Sequence, residues 1–404
     1  MELETIQITL PSSKSLSNRW LMLDYMSRTG IKIKNLSSSN DTQQLSRLLH
    51  QLKGGRRHTF DCRDAATVAR FMLALLAITP GSHTLTGSPQ LCLRPMKQLI
   101  DALRKAGCSI TCTGEEGFLP VKIEGVVPSA RRIVIDCSIS SQFASALLLA
   151  AATMPQGGMV ELKNAPVSEP YIDMTIKVME LAKVQCVLKG IPPTYNVEHT
   201  IPQCDVISIE KDWSSASYFF EAVSLLPGVP VRLPGLGRES LQGDYVVRDI
   251  YSQLGLSVNQ SEQSVELIRN GELTGPFEWD FTRTPDLVPA VAVTCAALGI
   301  EARLTGVATL RYKESDRIES IISELKKLGR EVSYSDNVMV IPAGEPFTAE
   351  TLNIEGPIDS HGDHRIAMAF GALRVINPKL SVTDPEVVAK SFPDFWKMLD
   401  RLIG

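Results

Sequence analysis

Two cations lie in a serine-rich segment near the start of the chain. Lys14 and Arg19 belong to residues 11–19, which lead directly into an apolar run that begins at Trp20. A helix that began here would present free N–H groups and a partial positive charge, to which Lys and Arg add full charges. This pattern favours a site for a carboxylate or a phosphate. A serine-capped helix with solvated charges is the competing interpretation, and a Walker P-loop is excluded because its glycines are missing.

Further cations occur beside or within apolar segments. They are Arg70, Arg94, Arg311, Lys313, Arg317, Arg365 and Lys390. Each one taken alone is more typical of an ion pair or a surface charge. Together, in a chain whose net charge is −4, they favour a cleft for small anions, and the overall charge does not predict nucleic-acid binding.

Two carboxylates are placed where they could move protons. Asp286 opens an apolar run, and Glu314 lies within a cluster of cations. Carboxylates near cations in partly dry clefts are suited to acid–base work, although Asp286 could equally be an early helix acid favoured by the helix dipole. The polar residues 140–142 precede another apolar run, and they could either cap that helix or hold a phosphate.

Length and composition limit the class of protein. A chain of 404 residues with 44% hydrophobic content suits two domains. The longest apolar runs, residues 71–78, 143–154 and 287–300, fall short of the ~18 apolar residues that a membrane span needs, so we expect buried helices. The eight scattered cysteines indicate reduced thiols in a cytosolic protein, and His361 and His364 lack companions at metal-ligand spacing. We therefore expect no metal.

A repeat organises the chain. Short stretches around Leu85, Leu162, Leu233 and Leu304 are spaced 77, 71 and 71 residues apart. Each precedes a polar loop and an amphipathic helix, and these helices are predicted to end near residues 106, 185, 254 and 328. Weaker copies at 31–52 and 381–404 bring the number to about six. Such a period predicts α/β units whose loops occupy equivalent places, unless the common Leu-x-Gly pattern recurs by chance.

Nine motifs in order resemble one family, the 3-phosphoshikimate 1-carboxyvinyltransferases or EPSP synthases, from about Leu10 to Leu402. The motifs are PSSKSLSNR (11–19), LRPM (93–96), SSQF (140–143), VSEPY (167–171), DWSSA (212–216), LQGD (241–244), RYKESDR (311–317), DHRIAM (363–368) and AKSFPD (389–394). Any one of them is a modest signal, but nine in family order are specific.

The resemblance implies a two-domain inside-out α/β barrel, the enolpyruvyl transferase fold, with three repeated units in each domain. Residues 13–210 would form the N-terminal domain, and residues 1–12 with 211–404 the C-terminal domain. The active site would lie in the cleft between them. The resemblance also implies a cytoplasmic monomer that needs no cofactor or metal and binds neither nucleic acid nor membrane.

Roles carry over from the resemblance residue by residue. The shikimate 3-phosphate contacts would be Lys14, Ser15, Arg19, Ser140, Ser141, Gln142, Ser168, Asp286 and Lys313. The phosphoenolpyruvate contacts would be Lys14, Arg94, Gln142, Arg317, Arg365 and Lys390. Asp286 would take the proton of the 5-hydroxyl of shikimate 3-phosphate, and Glu314 would move protons at C3 of the enolpyruvyl group. Lys14 would assist. Arg70 and Arg311 are left as supporting residues.

The chain departs from the family pattern at several positions. Asp64-Ala65-Ala66-Thr67 stands where the family commonly has Asn-Ala-Gly-Thr, Thr309 replaces a common Asn, and Ser12 replaces a common Gly. These changes bear on affinity more than on the class of reaction.

Two other functions compete with this one. Enolpyruvyl transfer to UDP-N-acetylglucosamine uses the same fold but needs a loop cysteine followed by Arg, and Cys92 is spaced differently from Arg94. A non-catalytic homologue that only binds anions is allowed by Asp64, Ala66 and Thr309. A coupled phosphate-release assay with each pair of substrates separates these readings.

We predict that Ala66 weakens binding of glyphosate, a family inhibitor that occupies the phosphoenolpyruvate position, because the extra methyl crowds that position. The loss for phosphoenolpyruvate should be smaller. Inhibition constants measured for the wild type and Ala66→Gly test this, and equal glyphosate sensitivity of the two proteins would refute it.

Overall fold

The computed structural model describes residues 4–27, 29–54, 57–271, 275–352 and 356–404, and these form two compact units. Residues 13–209 form the N-terminal unit, whereas residues 210–404 and the segment before Ser13 form the C-terminal unit. Three contacts tie that early segment to its unit: Ser12 forms an isolated bridge with Lys211, the Lys211 amine donates to the Leu10 carbonyl at 2.8 Å, and the Asp212 amide donates to the Pro11 carbonyl at 3.0 Å.

The helices follow the apolar segments of the sequence. They are α1 (Lys14–Met26), α2 (Asn40–Lys53), α3 (Ala66–Ile78), α4 (Pro89–Cys92), α5 (Lys97–Lys105), α6 (Gln142–Ala151), α7 (Pro170–Leu181), α8 (Trp213–Ser224), α9 (Val247–Gln253), α10 (Val288–Leu298), α11 (Arg317–Lys327), α12 (His364–Ala372) and α13 (Phe395–Ile403).

The strands are short. They are β1 (Ile6–Gln7), β2 (Lys32–Lys34), β3 (Arg57–Asp61), β4 (Gly81–Thr86), β5 (Ser109–Cys112), β6 (Val121–Gly125), β7 (Arg132–Ile135), β8 (Gly158–Leu162), β9 (Cys186–Lys189), β10 (Thr194–Val197), β11 (Val206–Ser208), β12 (Val231–Pro234), β13 (Leu256–Gln260), β14 (Ser264–Arg269), β15 (Phe277–Asp280), β16 (Ala302–Thr305), β17 (Ser333–Ser335) and β18 (Val338–Ile341).

One sheet topology occurs four times. The N-terminal unit has sheets β3-β4-β6-β5 and β7-β8-β10-β9, and the C-terminal unit has β1-β12-β14-β13 and β15-β16-β18-β17. In each sheet the first two strands are parallel and the remaining pairings are antiparallel. The predicted repeat is therefore structural, because Leu85, Leu162, Leu233 and Leu304 all lie on the second strand of a sheet.

The weaker sequence copies also correspond to parallel pairings. Strand β2 pairs with β11 in the N-terminal unit, and Ile358 forms a parallel bridge with Val382 in the C-terminal unit. Glycine directly follows the second strand in three of the four sheets, those of β4, β12 and β16. Gly306 has a φ of +71°, and a Cβ on it would collide with the backbone of Thr282, so the turn requires glycine.

The helices that carry the longest apolar runs are buried almost completely. Every residue of α10 and α12 is buried, as are nearly all residues of α3 and α6, whereas strands such as β6 and β7 alternate between buried and exposed side chains. The prediction of buried helices is confirmed. None of the helices in the described ranges combines the length and apolarity that crossing a bilayer demands.

One predicted helix end differs from the structure. Helix α7 ends at Leu181 rather than near Gln185, because Lys183 adopts a left-handed conformation with a φ of +62° and leads the chain towards β9. The amphipathic pattern continues beyond the helix because Val184 is still buried, so periodicity alone places the end too late.

We predict that Glu221 destabilises the C-terminal unit at neutral pH. This residue of α8 is fully buried, and neither carboxylate oxygen has a hydrogen-bond partner among the described residues. Burial raises the pKa of Glu221 well above its ordinary value. Between the ordinary pKa and the raised one, the unfolded chain releases this proton while the folded chain keeps it. The free energy of unfolding therefore falls as pH rises through this range. Glu221→Leu should raise the free energy of unfolding by about 1–3 kcal/mol at pH 8 and by less at pH 5.

Urea titrations at both pH values measure this effect. Glu301→Leu is the matched control, because Glu301 is exposed in the same unit and its replacement should change stability little at either pH. A gain for Glu221→Leu that did not depend on pH would contradict the assignment of a protonated, buried carboxyl group.

Candidate active site

In the N-terminal unit, the start of α1 holds Lys14 against an acidic side chain. Ser13 caps the helix by accepting a hydrogen bond from the amide of Leu16. The Lys14 amine then lies 3.1 Å from a carboxylate oxygen of Asp41, in the first turn of α2, and both side chains are largely buried. Asp41 was not singled out in the sequence, although it is one of the residues that orient Lys14.

Arg19 is a buried cation without a carboxylate partner. It is only 1% exposed, and its guanidinium donates to the Thr175 hydroxyl at 2.7 Å and to the carbonyls of Ser15 and Tyr171, both at 2.9 Å. None of its contacts among the described residues is a carboxylate. Burial lowers the pKa of Arg19 to about 10, and an anion brought to this place would offset that cost of burying a charge.

The contacts of Arg19 bring the starts of three helices together. Arg19 belongs to α1, Ser145 to α6, and Tyr171 and Thr175 to α7, and all four join one hydrogen-bond network. Ser15 lies one turn before Arg19 and accepts from it through its carbonyl. The N-termini of these helices, which carry partial positive charge, are thereby held beside a fixed cation.

The predicted polar residues at α6 and α7 lie at or just before the starts of these helices. The backbone amide of Gln142 donates to the Ser140 hydroxyl at 3.3 Å, so Ser140 takes the local capping role. Ser141 makes no side-chain capping bond. Ser168 is buried in a left-handed conformation with a φ of +53°, two residues before α7. Arg94 is also buried, in the turn after α4.

In the C-terminal unit, Asp286 lies among three cations. One carboxylate oxygen is 3.0 Å from the Lys313 amine and 3.1 Å from the Arg317 guanidinium, and the other oxygen is 3.0 Å from the Arg365 guanidinium. Burial alone would raise the pKa of Asp286, but these cations outweigh it and hold that pKa well below its ordinary value. In this state Asp286 is a firmly ionised carboxylate.

Glu314 shares the same cation cluster. It lies 2.6 Å from the Arg317 guanidinium and 3.8 Å from the Lys390 amine. Burial lowers the pKa of Lys313, although the neighbouring Asp286 charge opposes that change. The C-terminal unit therefore gathers the predicted residues Asp286, Lys313, Glu314, Arg317, Arg365 and Lys390 into one network of alternating charges.

Asp363 organises this network and was missed as a site residue. It is fully buried, and it accepts from Arg317 at 2.8 Å while its other oxygen accepts from the Arg365 amide at 2.9 Å and so caps α12. It also accepts from the Ser315 amide at 3.3 Å. The DHRIAM motif contains Asp363, but the sequence drew attention only to the neighbouring Arg365.

Asp244, the last residue of the LQGD motif, is a second acidic neighbour, to which the sequence assigned no role. It is buried, it accepts a hydrogen bond from the Ser214 hydroxyl, and its Oδ1 has no partner among the described residues. Burial, together with the negative charge of Asp286, raises the pKa of Asp244 to about 6. Asp244 thus adds a titratable charge beside the Asp286–Arg365 pair.

One group of side chains has a metal-like arrangement. Ligand atoms of Glu314, Asp363 and His364 lie within 4.8 Å of one another, the one such group found among the described residues, and residue spacing along the chain did not reveal it. Arg317 already donates to both carboxylates, at 2.6 and 2.8 Å. A metal would have to displace this buried guanidinium, so the donor set suits an ion-pair network better than a metal centre.

The residues that depart from the family pattern also have defined places. Asp64 lies in the turn before α3 and accepts a hydrogen bond from the Ser88 hydroxyl. Ala66 is the first residue of α3 and is buried, and Thr309 lies in a 3-10 turn, Ala308–Tyr312. Ser88 is thus one of the partners of the Asp64 carboxylate.

The family model described as EPSP synthase (3-phosphoshikimate 1-carboxyvinyltransferase) matches residues 55–399 of this chain. The 3-phosphoshikimate 1-carboxyvinyltransferase of Bacteroides fragilis strain YCH46 is 34% identical over 400 residues, which cover 98% of this chain and 94% of that protein. The same-named protein of Vibrio cholerae strain M66-2 is 31% identical over 430 residues, covering 100% and 98%. An EPSP synthase structure from Acinetobacter baumannii superposes on this chain with a TM-score of 0.75 and is 22% identical to it. The match covers 99% of this chain and 96% of that one, so the two chains share a fold.

We predict that Asp363→Asn lowers the free energy of unfolding by about 2–4 kcal/mol, because it removes the buried negative charge opposite Arg317. Urea titration at pH 7.5 measures this loss. Asp316→Asn is the control, since Asp316 also caps a helix but pairs with the exposed Arg311, and it should cost about 1 kcal/mol or less. Equal losses for the two variants would mean that Asp363 is only a helix cap.

Proposed function

The chain belongs to the EPSP synthase family and is a 3-phosphoshikimate 1-carboxyvinyltransferase, and we propose how its residues divide that reaction. The N-terminal unit holds mainly shikimate 3-phosphate, and the C-terminal unit supplies most of the phosphoenolpyruvate contacts and the acid–base groups. The observation that carries this proposal is the contact of one carboxylate, Asp286, with Lys313, Arg317 and Arg365.

The proposed architecture is the two-domain inside-out α/β barrel with three units in each domain. Residues 13–209 form one domain, and residues 210–404 with the segment before Ser13 form the other, so Glu210 belongs to the second rather than the first. The active site is proposed to lie where the substrates meet residues of both domains. The two four-stranded sheets and the additional parallel pairing in each unit support three repeats in each domain.

Shikimate 3-phosphate is an anion with a phosphate and a carboxylate. Arg19, a buried cation without a carboxylate partner, suits one of these groups because substrate binding would provide the missing negative charge. The hydroxyl of Ser141, which makes no capping bond, suits the other group together with Ser140 and Ser168. Lys14, Ser15, Gln142, Asp286 and Lys313 complete the proposed contacts.

Phosphoenolpyruvate also carries a phosphate and a carboxylate, so four anionic groups must share one place. Fixed cations offset their mutual repulsion before the reaction begins. Arg317 and Arg365 are held by Asp363 and Asp286 and so are aligned without substrate. The remaining proposed contacts are Lys14, Arg94, Gln142 and Lys390.

Asp286 is proposed to accept the proton of the 5-hydroxyl of shikimate 3-phosphate while the oxygen of that hydroxyl attacks C2 of phosphoenolpyruvate. Glu314 gives a proton to C3 of phosphoenolpyruvate, and this addition yields a tetrahedral intermediate. When phosphate leaves the intermediate, Glu314 takes a proton back from C3. Lys14 assists, and Lys390 and Arg94 hold the departing phosphate. No cofactor takes part in these steps.

The low pKa of Asp286 raises a difficulty for this role and suggests how substrate solves it. A carboxylate held by three cations is a weak base. Substrate anions that bind Lys313, Arg317 and Arg365 would offset the positive charge around Asp286 and so restore its basicity. On this proposal, the base becomes competent only when both substrates are bound.

We propose further that the enzyme works as a monomer in the cytoplasm, with no nucleic-acid or membrane partner. Light scattering coupled to size-exclusion chromatography, with and without both substrates, tests the first part. A mass near 44.3 kDa is expected in each case, and twice that mass would contradict it.

We predict that Asp286→Asn lowers kcat by about 10²–10⁴-fold, because Asn cannot accept the hydroxyl proton. Release of phosphate from phosphoenolpyruvate with shikimate 3-phosphate measures the rate. The KM for phosphoenolpyruvate should not rise, since Arg317 and Arg365 lose a competing carboxylate. Asp400→Asn is the control, because Asp400 lies on α13 and pairs only with Arg374 among the ion pairs found between the described residues. This variant should leave kcat and KM unchanged.

A kcat for Asp286→Asn within tenfold of the wild-type value would contradict the proposed base. Phosphate release by the wild type only with UDP-N-acetylglucosamine, or with neither acceptor, would instead contradict the substrate assignment.

A further inference from the structure

Arg70 is a buried cation of the N-terminal unit for which the reaction scheme above has no use. It lies one turn into α3 and is 3% exposed. Its Nη1 donates to the side-chain oxygen Oε1 of Gln142, the first residue of α6, at 2.5 Å. Its guanidinium carbon also lies 5.1 Å from the centre of the Phe143 ring, so two consecutive residues of α6 fix its place.

This contact determines which way the Gln142 amide points. A guanidinium has five donors and no acceptor, whereas a Gln side chain has an accepting oxygen at one corner and a donating nitrogen at the other. Only the oxygen can face Arg70 favourably. The reversed amide would set its N–H groups against the guanidinium N–H groups, so that neither would find an acceptor in the other.

The Gln142 nitrogen is consequently directed away from Arg70. None of the described residues accepts a hydrogen bond from Nε2, and the side chain is only half-buried. Gln142 also lies at the N-terminus of a ten-residue helix, directly after Ser140 and Ser141. An amide nitrogen at this place can donate to an anionic oxygen, whereas an amide oxygen there would repel it.

We propose that Arg70 is a positioning residue that holds the Gln142 amide with its nitrogen ready to donate to a substrate anion. The inference rests on the proposed function, because it takes Gln142 as a substrate contact. Arg70 itself touches no substrate in this scheme. It acts by removing the alternative amide orientation, so that binding does not have to select it.

A double-mutant cycle separates this role from a general structural one. The four proteins are the wild type, Arg70→Met, Gln142→Ala and the double variant, and calorimetry measures the dissociation constant of shikimate 3-phosphate for each. We expect Gln142→Ala to weaken binding about tenfold or more, and Arg70→Met about threefold to tenfold. In the Gln142→Ala background, Arg70→Met should change affinity by less than about twofold, because the residue through which it acts is gone.

Equal effects of Arg70→Met in both backgrounds would overturn the proposal, because Arg70 would then act without Gln142. Gln142→Glu gives a second test with Arg70 intact. It keeps an oxygen facing the guanidinium but replaces the donor with a second acceptor, so binding should be weaker than in Gln142→Ala. Wild-type affinity in Gln142→Glu would show that no donor is needed and would also overturn the proposal.

Stability is controlled with Leu76→Ala, which truncates a buried residue near the far end of α3. This variant should lower the melting temperature and leave the affinity unchanged. An affinity loss in Leu76→Ala as large as that in Arg70→Met would assign the effect to loosening of α3 and overturn the positioning role. Wild-type protein that bound no shikimate 3-phosphate would defeat the proposed function itself, and the inference with it.

Discussion

The neutralisation of charge in a buried network is the constraint on which the rest of the C-terminal unit depends. Arg317 is 1% exposed and could not remain there as an isolated cation, so Asp363, Asp286 and Glu314 surround it. The loops that supply these residues follow short strands and enter buried helices.

The two units solve the same electrostatic problem differently. The C-terminal unit balances its cations with carboxylates, whereas the N-terminal unit holds Arg19 with hydroxyl and carbonyl oxygens and leaves its charge uncompensated. The first solution aligns cations and keeps Asp286 ionised. On the function proposed above, the second leaves Arg19 available for an anionic group of the substrate.

Much of this organisation could be predicted from sequence because local chemistry carries it. The spacing of Leu85, Leu162, Leu233 and Leu304 marked one strand of each four-stranded sheet, since each repeat must bury the same face. The apolar runs predicted buried helices for the same reason. The end of α7 was placed too late because the buried Val184 continues the pattern after Lys183 has left the helix.

The sequence by itself determined which side chains could do chemistry, because motifs keep Lys313, Glu314 and Arg317 within a few residues of one another. Only the tertiary structure decided which partners hold them, because those partners are distant in the chain. Arg317 meets Asp363 across 46 residues, Arg365 meets Asp286 across 79, and Arg70 meets Gln142 across 72. The energy of a buried charge depends on such neighbours and on exclusion of water, and both exist only once the chain has folded.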